Sequence, residues 1–396
     1  MKSPKIRFKE FQNEWNLTTL GEVGEIVGGG TPDTSNLKFW GDDIVWVTPT
    51  EIKNKYIFGS QRKISKLGLE NSSAKLLEKN TILITSRATI GEIAITKVKC
   101  ATNQGFQSLK LKKEHNYEFF YYALLLCKNK MLTVANGSTF VEISASQMKN
   151  LKTKIPTDLK EQNAIGEFFR KIDGILDLEN SRFKKLKNFK KTMLDKLFVK
   201  DGADEPQIRL GSFKGEWNSR ILGDIFKERA ERSAVGELLS VSILKGVTKF
   251  NELNRWDKSS QDKSNYKVVK KGDIAYNSMR MWQGASGLSK YDGIVSPAYT
   301  ILEPCENTNS LFFSYMFKKD EMLYKFRIKS QGLTSDTWNL KYTNLKSIEV
   351  RIPSDIKEQE AIGEFFRKID GILEFSQKKI TKLENIKKYL LNKMFV

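Results

Sequence analysis

Polar and basic residues stand in short turns after predicted strands, at equivalent places in the two halves of the chain. The first half has residues 85–87 (TSR) and 136–139 (NGST), and the second half has residues 277–280 (NSMR) and 330–334 (SQGLT). Arginine can bond guanine O6 and N7, asparagine and glutamine can bond adenine N6 and N7, and serine and threonine can bond phosphates or either base. These residue types at strand ends favour the reading of base edges in DNA.

Neighbouring turns of the same kind extend this set. A glycine-rich turn follows the predicted strand 25–30, and further polar side chains stand near residues 103 and 282. The candidate DNA-binding residues are Thr31, Ser86, Arg87, Asn103, Gln104, Ser138, Thr139, Asn277, Ser278, Arg280, Trp282, Gln283, Gln331 and Thr334. Any one of them could instead serve only the turn in which it stands.

Residue types exclude most kinds of catalytic site. His115 is the only histidine, which rules out histidine triads and histidine-rich metal sites within one chain. Cys100, Cys127 and Cys305 are scattered, so neither a zinc ribbon nor a disulfide framework is expected, and a reducing cytosol is indicated. The sequence contains no phosphate-binding Gly-x-x-x-x-Gly-Lys-[Ser/Thr] loop and no Asn/Asp-Pro-Pro-aromatic tetrapeptide of an amino-methyltransferase. We expect a chain that is not an enzyme and that binds no metal and no cofactor.

One loose pattern leaves a catalytic alternative open. Asp33 with Glu51 and Lys53 fits the Pro-Asp…Glu-x-Lys arrangement of metal-dependent nucleases, in which two carboxylates hold Mg²⁺ and a lysine aids the attacking water. The second half of the chain lacks this pattern. The alternative hypothesis is therefore a self-contained nuclease.

The charge balance predicts a polyanionic partner. The 67 lysines and arginines exceed the 47 acidic residues by 20, and the pI is about 9.5. An excess of this size favours a nucleic acid or an anionic membrane surface. The N-terminus has no apolar signal segment, and no apolar run reaches the ~18 residues of a membrane span. We therefore expect a cytoplasmic protein that makes no membrane contact.

An internal repeat predicts the domain organisation. Residues 160–176 (KEQNAIGEFFRKIDGIL) and 357–373 (KEQEAIGEFFRKIDGIL) differ at one position, and the register of 197 residues holds to the C-terminus. A weaker repeat opens each half, where Trp15 matches Trp217. The chain thus alternates two divergent modules, residues 1–157 and 201–353, with two constant segments, residues 158–200 and 354–396.

The constant segments have a helical pattern of apolar residues, spaced mostly three or four apart over about 40 residues. A helix of that length with a narrow apolar stripe needs a partner along it, and the matching stripe of the other copy can supply one. The modules combine short strands with helices predicted at 117–132 and 310–325. The predicted fold is α+β, with two globular modules joined by a long antiparallel two-helix coiled coil of pseudo-two-fold symmetry. Two separate helices, each packed on its own module, are the alternative.

Apolar residues beyond the stripe widen one face near the start of each helix. They are Phe168, Ile175, Phe365 and Ile372. A two-stranded seam does not need them, so they are candidates for docking a further helical partner. Contact with the adjacent module is the competing interpretation.

Taken together, the chain resembles the specificity (S) subunit of type I restriction–modification systems. The resemblance rests on residues 155–162 (IPTDLKEQ) and 352–359 (IPSDIKEQ) leading into long helices, and on residues 29–32 (GGTP) with 48–50 (TPT) after Trp46. It covers essentially the whole chain. The second module has residues 228–233 in place of the GGTP element, so its recognition loops match the family less well.

The resemblance implies a role as a binding subunit. Each module would be a target-recognition domain that reads one half of a bipartite, asymmetric site in double-stranded DNA, and the coiled coil would set the unread spacer. Two modification (methyltransferase) subunits would dock on the helices and use S-adenosylmethionine, and two restriction subunits would add ATP- and Mg²⁺-dependent translocation and cleavage. A coiled-coil adaptor that never meets DNA remains a third hypothesis.

Overall fold

The computed structural model describes residues 3–135, 141–253, 256 and 259–396, and its contacts divide the chain into two compact units. Unit 1 comprises Met1–Asn180 and Lys378–Val396, and unit 2 comprises Ser181–Gln377. Each unit therefore combines a globular part with segments of both constant regions. The finer division into four segments at residues 157, 200 and 353 stays a prediction.

Unit 1 contains ten strands and five short helices among its described residues, together with parts of two long helices. The strands are β1 (Asn16–Thr19), β2 (Gly24–Gly28), β3 (Trp40–Val47), β4 (Tyr56–Ile57), β5 (Arg62–Ile64), β6 (Ile82–Ile84), β7 (Ile93–Thr96), β8 (Cys100–Thr102), β9 (Gln107–Leu111) and β10 (Lys152–Ile155). The short helices are α1 (Leu20–Val23), α2 (Lys66–Glu70), α3 (Tyr117–Leu126), α4 (Lys128–Val134) and α5 (Ala145–Lys149).

The strands of unit 1 form three sheets. Their orders are β2-β9-β6-β7-β4, β5-β3-β8 and β1-β10. Ile84 of β6 and Phe119 of α3 share one buried core cluster with Phe169, so α3 packs between the five-stranded sheet and a long helix. The antiparallel β1-β10 pair, with Asn16 opposite Ile155, joins the start of the globular part to the residues just before that helix.

Unit 2 has a similar set of elements in its described residues. The strands are β11 (Asn218–Ile221), β12 (Phe226–Glu228), β13 (Leu239–Ser242), β14 (Gly246–Lys249), β15 (Lys267–Val269), β16 (Ile274–Asn277), β17 (Ser286–Leu288), β18 (Gly293–Val295), β19 (Tyr299–Pro304) and β20 (Glu349–Ile352). The short helices are α7 (Leu222–Ile225), α8 (Ser310–Met316), α9 (Asp320–Lys329) and α10 (Tyr342–Leu345).

The largest sheet of unit 2 has the order β12-β19-β16-β17, and the other pairs are β13-β14, β15-β18 and β11-β20. The main core cluster of unit 2 combines Phe312 and Phe313 of α8 with Phe366 of a long helix. The β11-β20 pair places Asn218 opposite Ile352 and corresponds to the β1-β10 pair of unit 1.

The two constant segments form the predicted long helices, now numbered by their place in the chain. Helix α6 spans Leu159–Leu197 and helix α11 spans Ile356–Met394, and each has 39 residues. Each begins after an aspartate whose Oδ1 accepts a backbone N–H, from Lys160 in one copy and from Lys357 in the other. This accounts for the start of each helix, because an aspartate at this position satisfies an N–H that has no partner within the helix.

Segments of the two long helices pack on each other within each unit. In unit 1 the Nζ of Lys379 lies 2.9 Å from Glu179 Oε1, and Phe395 packs against Phe169. In unit 2 the Nζ of Lys190 lies 2.5 Å from Asp370 Oδ1, and the ring of Phe198 stacks on that of Phe366. Glu179 is thus buried against a lysine of the other helix.

The prediction of one helix at 117–132 and one at 310–325 is wrong in each case. The first is broken at Cys127, which ends α3 and precedes α4. The second is broken before Asp320, where Lys319 has extended backbone and its Nζ donates to the carbonyl of Val199. The side chain of Lys319 is held by a partner 120 residues away, and local periodicity does not report such a contact.

A search of the described residues found no helix that combines the length and the apolar character needed to cross a membrane.

Candidate nucleic-acid interface

The turn of residues 85–87 lies beside Glu142 and Ile143 at the end of β6, whereas the second predicted loop, residues 136–139, lies outside the described residues. The backbone N–H of Ile143 donates to the carbonyl of Ser86 at 3.1 Å, and Arg87 pairs with Glu142 as an isolated antiparallel bridge. Across that bridge the Nε of Arg87 lies 2.9 Å from Glu142 Oε1. The bridge therefore holds the Arg87 turn beside the residues that follow the second predicted loop.

The glycine-rich turn after β2 joins the same surface. Thr31 Oγ1 donates to Gln104 Oε1 at 2.6 Å, and the N–H of Ser86 donates to the carbonyl of Gly105 at 2.7 Å. The two glycines before Thr31 are required by close contacts, since a Cβ on Gly29 would lie 1.9 Å from the carbonyl oxygen of Asn103. The chain thus brings together three predicted segments of unit 1, the turns at residues 29–32, 85–87 and 103–105.

Only some of these side chains remain open to a ligand. The side chain of Arg87 is 51% exposed, and Gln104 is exposed. Ser86 is fully buried, and its Oγ has no hydrogen-bond partner among the described residues. Asn103 Oδ1 accepts the N–H of Gly105 at 2.9 Å and so shapes the turn. Ser138 and Thr139 lie outside the described residues.

Unit 2 also brings its two predicted loops together. The N–H of Leu340 donates to the carbonyl of Ser278 at 2.9 Å, and the hydroxyl of Tyr276 donates to the carbonyl of Leu340 at 3.1 Å. The rings of Trp282 and Trp338 pack edge to face with centroids 5.1 Å apart. The turn after β16 and the loop before α10 therefore form one surface.

The candidates of unit 2 divide in the same way. Ser278 is buried, with its hydroxyl 3.0 Å from that of Thr300, and Asn277 Oδ1 accepts the N–H of Met279 at 3.0 Å, so both serve the fold. The indole N–H of Trp282 donates to the carbonyl of Met279 at 3.2 Å. The remaining candidates are exposed or half-buried: Arg280, Gln283, Gln331 and Thr334.

Sequence reasoning missed three residues of these surfaces. Glu142 stands beside Arg87, and Asp336 Oδ1 lies 3.9 Å from Arg280 Nη1. Trp338 packs on Trp282, and the guanidinium of Arg327 lies 5.5 Å from the centroid of the Trp338 ring. The partners in the pairs Arg87–Glu142, Arg280–Asp336 and Trp282–Trp338 are about 55 residues apart in the chain. The only sequence signal for Glu142, Asp336 and Trp338 is that each stands a few residues after a predicted loop.

The carboxylates of the nuclease alternative are engaged in local structure. Asp33 Oδ1 accepts both the N–H and the hydroxyl of Ser35, and these bonds lower the pKa of Asp33. Glu51 Oε2 accepts the backbone N–H of Thr48 at 2.7 Å, and Glu51 Oε1 accepts the N–H of Gln61 at 2.7 Å. Among the residues that the structure describes, no group of three or more His, Cys, Asp or Glu side chains could hold a metal ion. The geometry gives the nuclease hypothesis no support.

The repeated Lys-Glu-Gln motif fastens each long helix to its globular part. In unit 1 the guanidinium of Arg7 forms two 2.7 Å bonds to the Glu161 carboxylate, and the Nε1 of Trp15 donates to it at 3.2 Å. In unit 2 Arg209 binds Glu358 at 2.9 Å. Each carboxylate thus binds an arginine of its own unit.

The glutamine of the motif acts at a second point. Gln162 Oε1 accepts the N–H of Asn116 at 3.0 Å, and Gln359 Oε1 accepts the N–H of Asn309 at 3.0 Å. Asn116 and Asn309 cap helices α3 and α8 with their side chains. The motif thus positions the first turn of the helix that packs beneath each main sheet.

The four predicted docking residues differ in exposure. Phe168 packs edge to face on Phe8 with centroids 5.8 Å apart, and Phe365 packs on Phe189 at 6.2 Å, so both are partly covered within their own units. Ile175 is 47% exposed and Ile372 is 55% exposed. Leu178 and Phe375, three residues further along each helix, are also exposed. Each unit therefore presents an apolar patch on a long helix.

A family model described as the type I restriction modification DNA specificity domain matches this chain twice, over residues 12–188 and 214–385. The type I restriction enzyme MjaIX specificity subunit of Methanocaldococcus jannaschii is 31% identical over 240 residues, which are 56% of this chain and 54% of the relative. The EcoR124I/EcoR124II specificity subunit of Escherichia coli is 28% identical over 177 residues, which are 43% of each. The matches thus span about half the length of these curated relatives.

A solved structure has a similar fold over the full length. The S subunit of a type I restriction–modification system from M. genitalium aligns with 100% of this chain and 99% of its own chain. The TM-score is 0.65 at 18% sequence identity. At that identity the likeness shows a shared fold.

Proposed function

Because the chain belongs to the family of type I restriction modification DNA specificity domains, we propose that it is the DNA-recognition subunit of a type I restriction–modification complex. Each globular part reads one half of a bipartite, asymmetric site in double-stranded DNA. The single observation that carries this proposal is the contrast within the duplication, in which residues 160–176 and 357–373 differ at one position while the loops of the two globular parts differ. Like helices suit a shared role, and unlike loops suit unlike targets.

The loop surfaces support the reading of base edges. In each unit an arginine stands at the end of a strand, and a second loop packs beside it. Both arginines keep exposed side-chain surface, 51% for Arg87 and 41% for Arg280. Arginine is the side chain that most often reads guanine in the major groove. The net charge of +20 adds the general attraction to phosphates that precedes specific binding.

The long helices set the spacing in this proposal. We infer that α6 and α11 run antiparallel as a two-helix coiled coil with a pseudo-two-fold axis. The contacts inside each unit support this arrangement, since Phe169 meets Phe395 while Glu179 meets Lys379. Residue numbers that rise along one helix fall along the other. A rigid helical pair of this kind would hold the two readers at a fixed separation and would fix the unread spacer.

The chemistry of the complex would belong to its partners. Two modification subunits would dock on the long helices at the exposed Ile175 and Ile372, next to the half-covered Phe168 and Phe365. They would carry S-adenosylmethionine and methylate adenine. Two restriction subunits would supply the ATP- and Mg²⁺-dependent steps. This chain would be the non-catalytic member of the assembly.

Module exchange tests the proposal. Residues 219–351 are replaced by the corresponding segment of another family member, and the methylated sites are read by single-molecule methylome sequencing of cells that also express the modification subunits. We expect one half of the target to change while the other half stays intact. Exchange of residues 17–154 is the matched control and should change the opposite half. An exchange that alters both halves, or neither, would contradict the proposal.

The spacer is tested separately. Insertion of one heptad into both α6 and α11 preserves the seam and should lengthen the spacer between the two half-sites. Insertion of the same seven residues into the exposed 202–206 turn should leave the spacer unchanged. The adaptor hypothesis predicts no specific methylation at all and a binding to duplex DNA that does not weaken between about 50 and 200 mM salt.

A further inference from the structure

A salt bridge on the loop surface around Arg87 in unit 1 leads to one inference beyond the proposed role in DNA recognition. Arg87 and Glu142 face each other across an isolated antiparallel bridge, with Nε and Oε1 2.9 Å apart. Their side chains are 51% and 32% exposed. The backbone bridge makes the two residues direct cross-strand neighbours, so their side chains meet on one face of the bridge.

We infer that Arg87 and Glu142 together read a single G·C base pair, an inference that rests on the proposed DNA-recognition function. In the major groove a G·C pair presents the acceptors N7 and O6 of guanine and, beside them, the N4 amino donor of cytosine. A guanidinium flanked by a carboxylate presents donors followed by an acceptor. Arg87 donates to guanine, and Glu142 accepts from cytosine N4 while it orients the guanidinium.

The electrostatics of the chain strengthen this assignment. The chain carries a net charge of +20, so an exposed carboxylate on the DNA-facing surface weakens the general attraction to phosphates. Glu142 also competes with phosphates for Arg87, because both are anionic acceptors of the guanidinium N–H groups. A phosphate beside the pair is repelled by the carboxylate and offers it no donor. The pair therefore suppresses backbone binding by Arg87 and keeps its contact with a matching base pair.

Unit 2 contains a looser counterpart. Arg280 and Asp336 come from the equivalent loops, with Nη1 and Oδ1 3.9 Å apart, and the Asp336 side chain is 87% exposed. No backbone bridge joins these two residues among the described contacts. Asp336 has a shorter and more exposed side chain than Glu142, so it constrains the orientation of Arg280 less. The Arg280–Asp336 pair therefore serves as the comparison for the test.

The test uses the full chain assembled with its modification subunits. The wild-type target is first defined by methylome sequencing, and competition binding is then measured with duplexes that carry each single base-pair change in the first half-site. Glu142→Ala and Arg87→Ala should each reduce discrimination at the same G·C position about 10-fold, the size of one bidentate contact. Because each side chain also orients the other, the double variant should lose less than the product of the two single effects. Asp336→Asn should leave the first half-site unchanged.

The outcomes separate the inference from the function on which it rests. A wild-type complex without any sequence-specific methylation would overturn the proposed function. A specific wild-type complex whose Glu142→Ala variant keeps full discrimination, or loses affinity equally for all sequences, would overturn only the Arg87–Glu142 assignment. Glu142→Gln keeps the shape and an acceptor oxygen. It should therefore retain part of the discrimination, which a purely structural role for Glu142 would not predict at one base position.

Discussion

The two copies of the constant segment offer a matched pair of perturbations at Asp173 and Asp370. In unit 1 the carboxylate of Asp173 lies 2.5 Å from Lys387 Nζ and 3.2 Å from Lys55 Nζ, and it accepts the hydroxyl of Tyr122. The side chain of Asp173 is 18% exposed. Burial and this carboxylate both raise the pKa of Tyr122, so the hydroxyl stays a donor at neutral pH.

The counterpart in unit 2 is more open to water. Asp370 lies 2.5 Å from Lys190 and accepts the hydroxyl of Tyr315 at 2.8 Å, but its side chain is 41% exposed. Removing one member of a buried ion pair costs about 3–5 kcal/mol, whereas an exposed pair contributes about 0–1 kcal/mol. We therefore expect Asp173→Asn to destabilise the packing of α3 by roughly 2–3 kcal/mol and Asp370→Asn to destabilise that of α8 by less than about 1 kcal/mol.

Hydrogen exchange measured by mass spectrometry on the full chain resolves the two effects. Peptides covering α3 should exchange roughly 30- to 150-fold faster in Asp173→Asn, and peptides covering α8 less than about 5-fold faster in Asp370→Asn, since about 1.4 kcal/mol corresponds to a factor of ten. Adding Lys387→Met to Asp173→Asn should restore much of the protection, because it removes the unpaired cation. Equal effects at both sites, or no rescue by Lys387→Met, would refute this account of the ion pairs.

Three further tests address other parts of the structure. Burial lowers the pKa of Lys318 to about 8 from 10.5, so the unfolded chain binds more protons in that window and stability should rise with pH from about 8 to 10.5. Lys318→Met should remove roughly 1–3 kcal/mol of that rise in urea titrations at about pH 7.5 and pH 10. Gly166→Ala should destabilise the chain by about 1–2 kcal/mol in the same assay, because the new Cβ would lie 2.8 Å from Asn116 Oδ1. Gly174→Ala is the matched control: its new Cβ would have no atom within 4 Å, so it should stabilise the helix by up to about 1 kcal/mol. Arg7→Met should cost about 3 kcal/mol, because the buried Glu161 carboxylate loses its cationic partner and keeps the indole N–H of Trp15, and Glu161→Gln in the same chain should recover part of that loss. An unaltered urea midpoint in Arg7→Met would argue against a stabilising Arg7–Glu161 ion pair.

The long helices could be predicted from the sequence because their information is local and is present twice. Apolar spacing, a preceding aspartate and an almost unchanged second copy all indicate the same helix, and the structure has 39 residues in each. The breaks at Cys127 and before Asp320 could not be predicted, because tertiary partners place them. Lys319, for example, is held by the carbonyl of Val199.

The candidate site was predictable as a set of loops but not as a set of side chains. The same turn-type residues serve the fold when they point inward, as Ser86 and Ser278 do, and face solvent when they point outward, as Gln104 does. The sequence gives the type of each residue but not the direction in which its side chain points. The pairing of Arg87 with Glu142 depends on a bridge between segments about 55 residues apart, which composition and spacing do not reveal.

The crossed ion pairs of the two copies have a consequence for how the gene can vary. In one unit a lysine late in the second copy meets Asp173 early in the first, and in the other unit Lys190 late in the first copy meets Asp370 early in the second. A substitution at Asp173 or Asp370 in one copy therefore removes the partner of a lysine in the other copy. The turns that carry Arg87 and Arg280 take no part in these two ion pairs, so an exchange of those turns leaves both contacts between the copies in place.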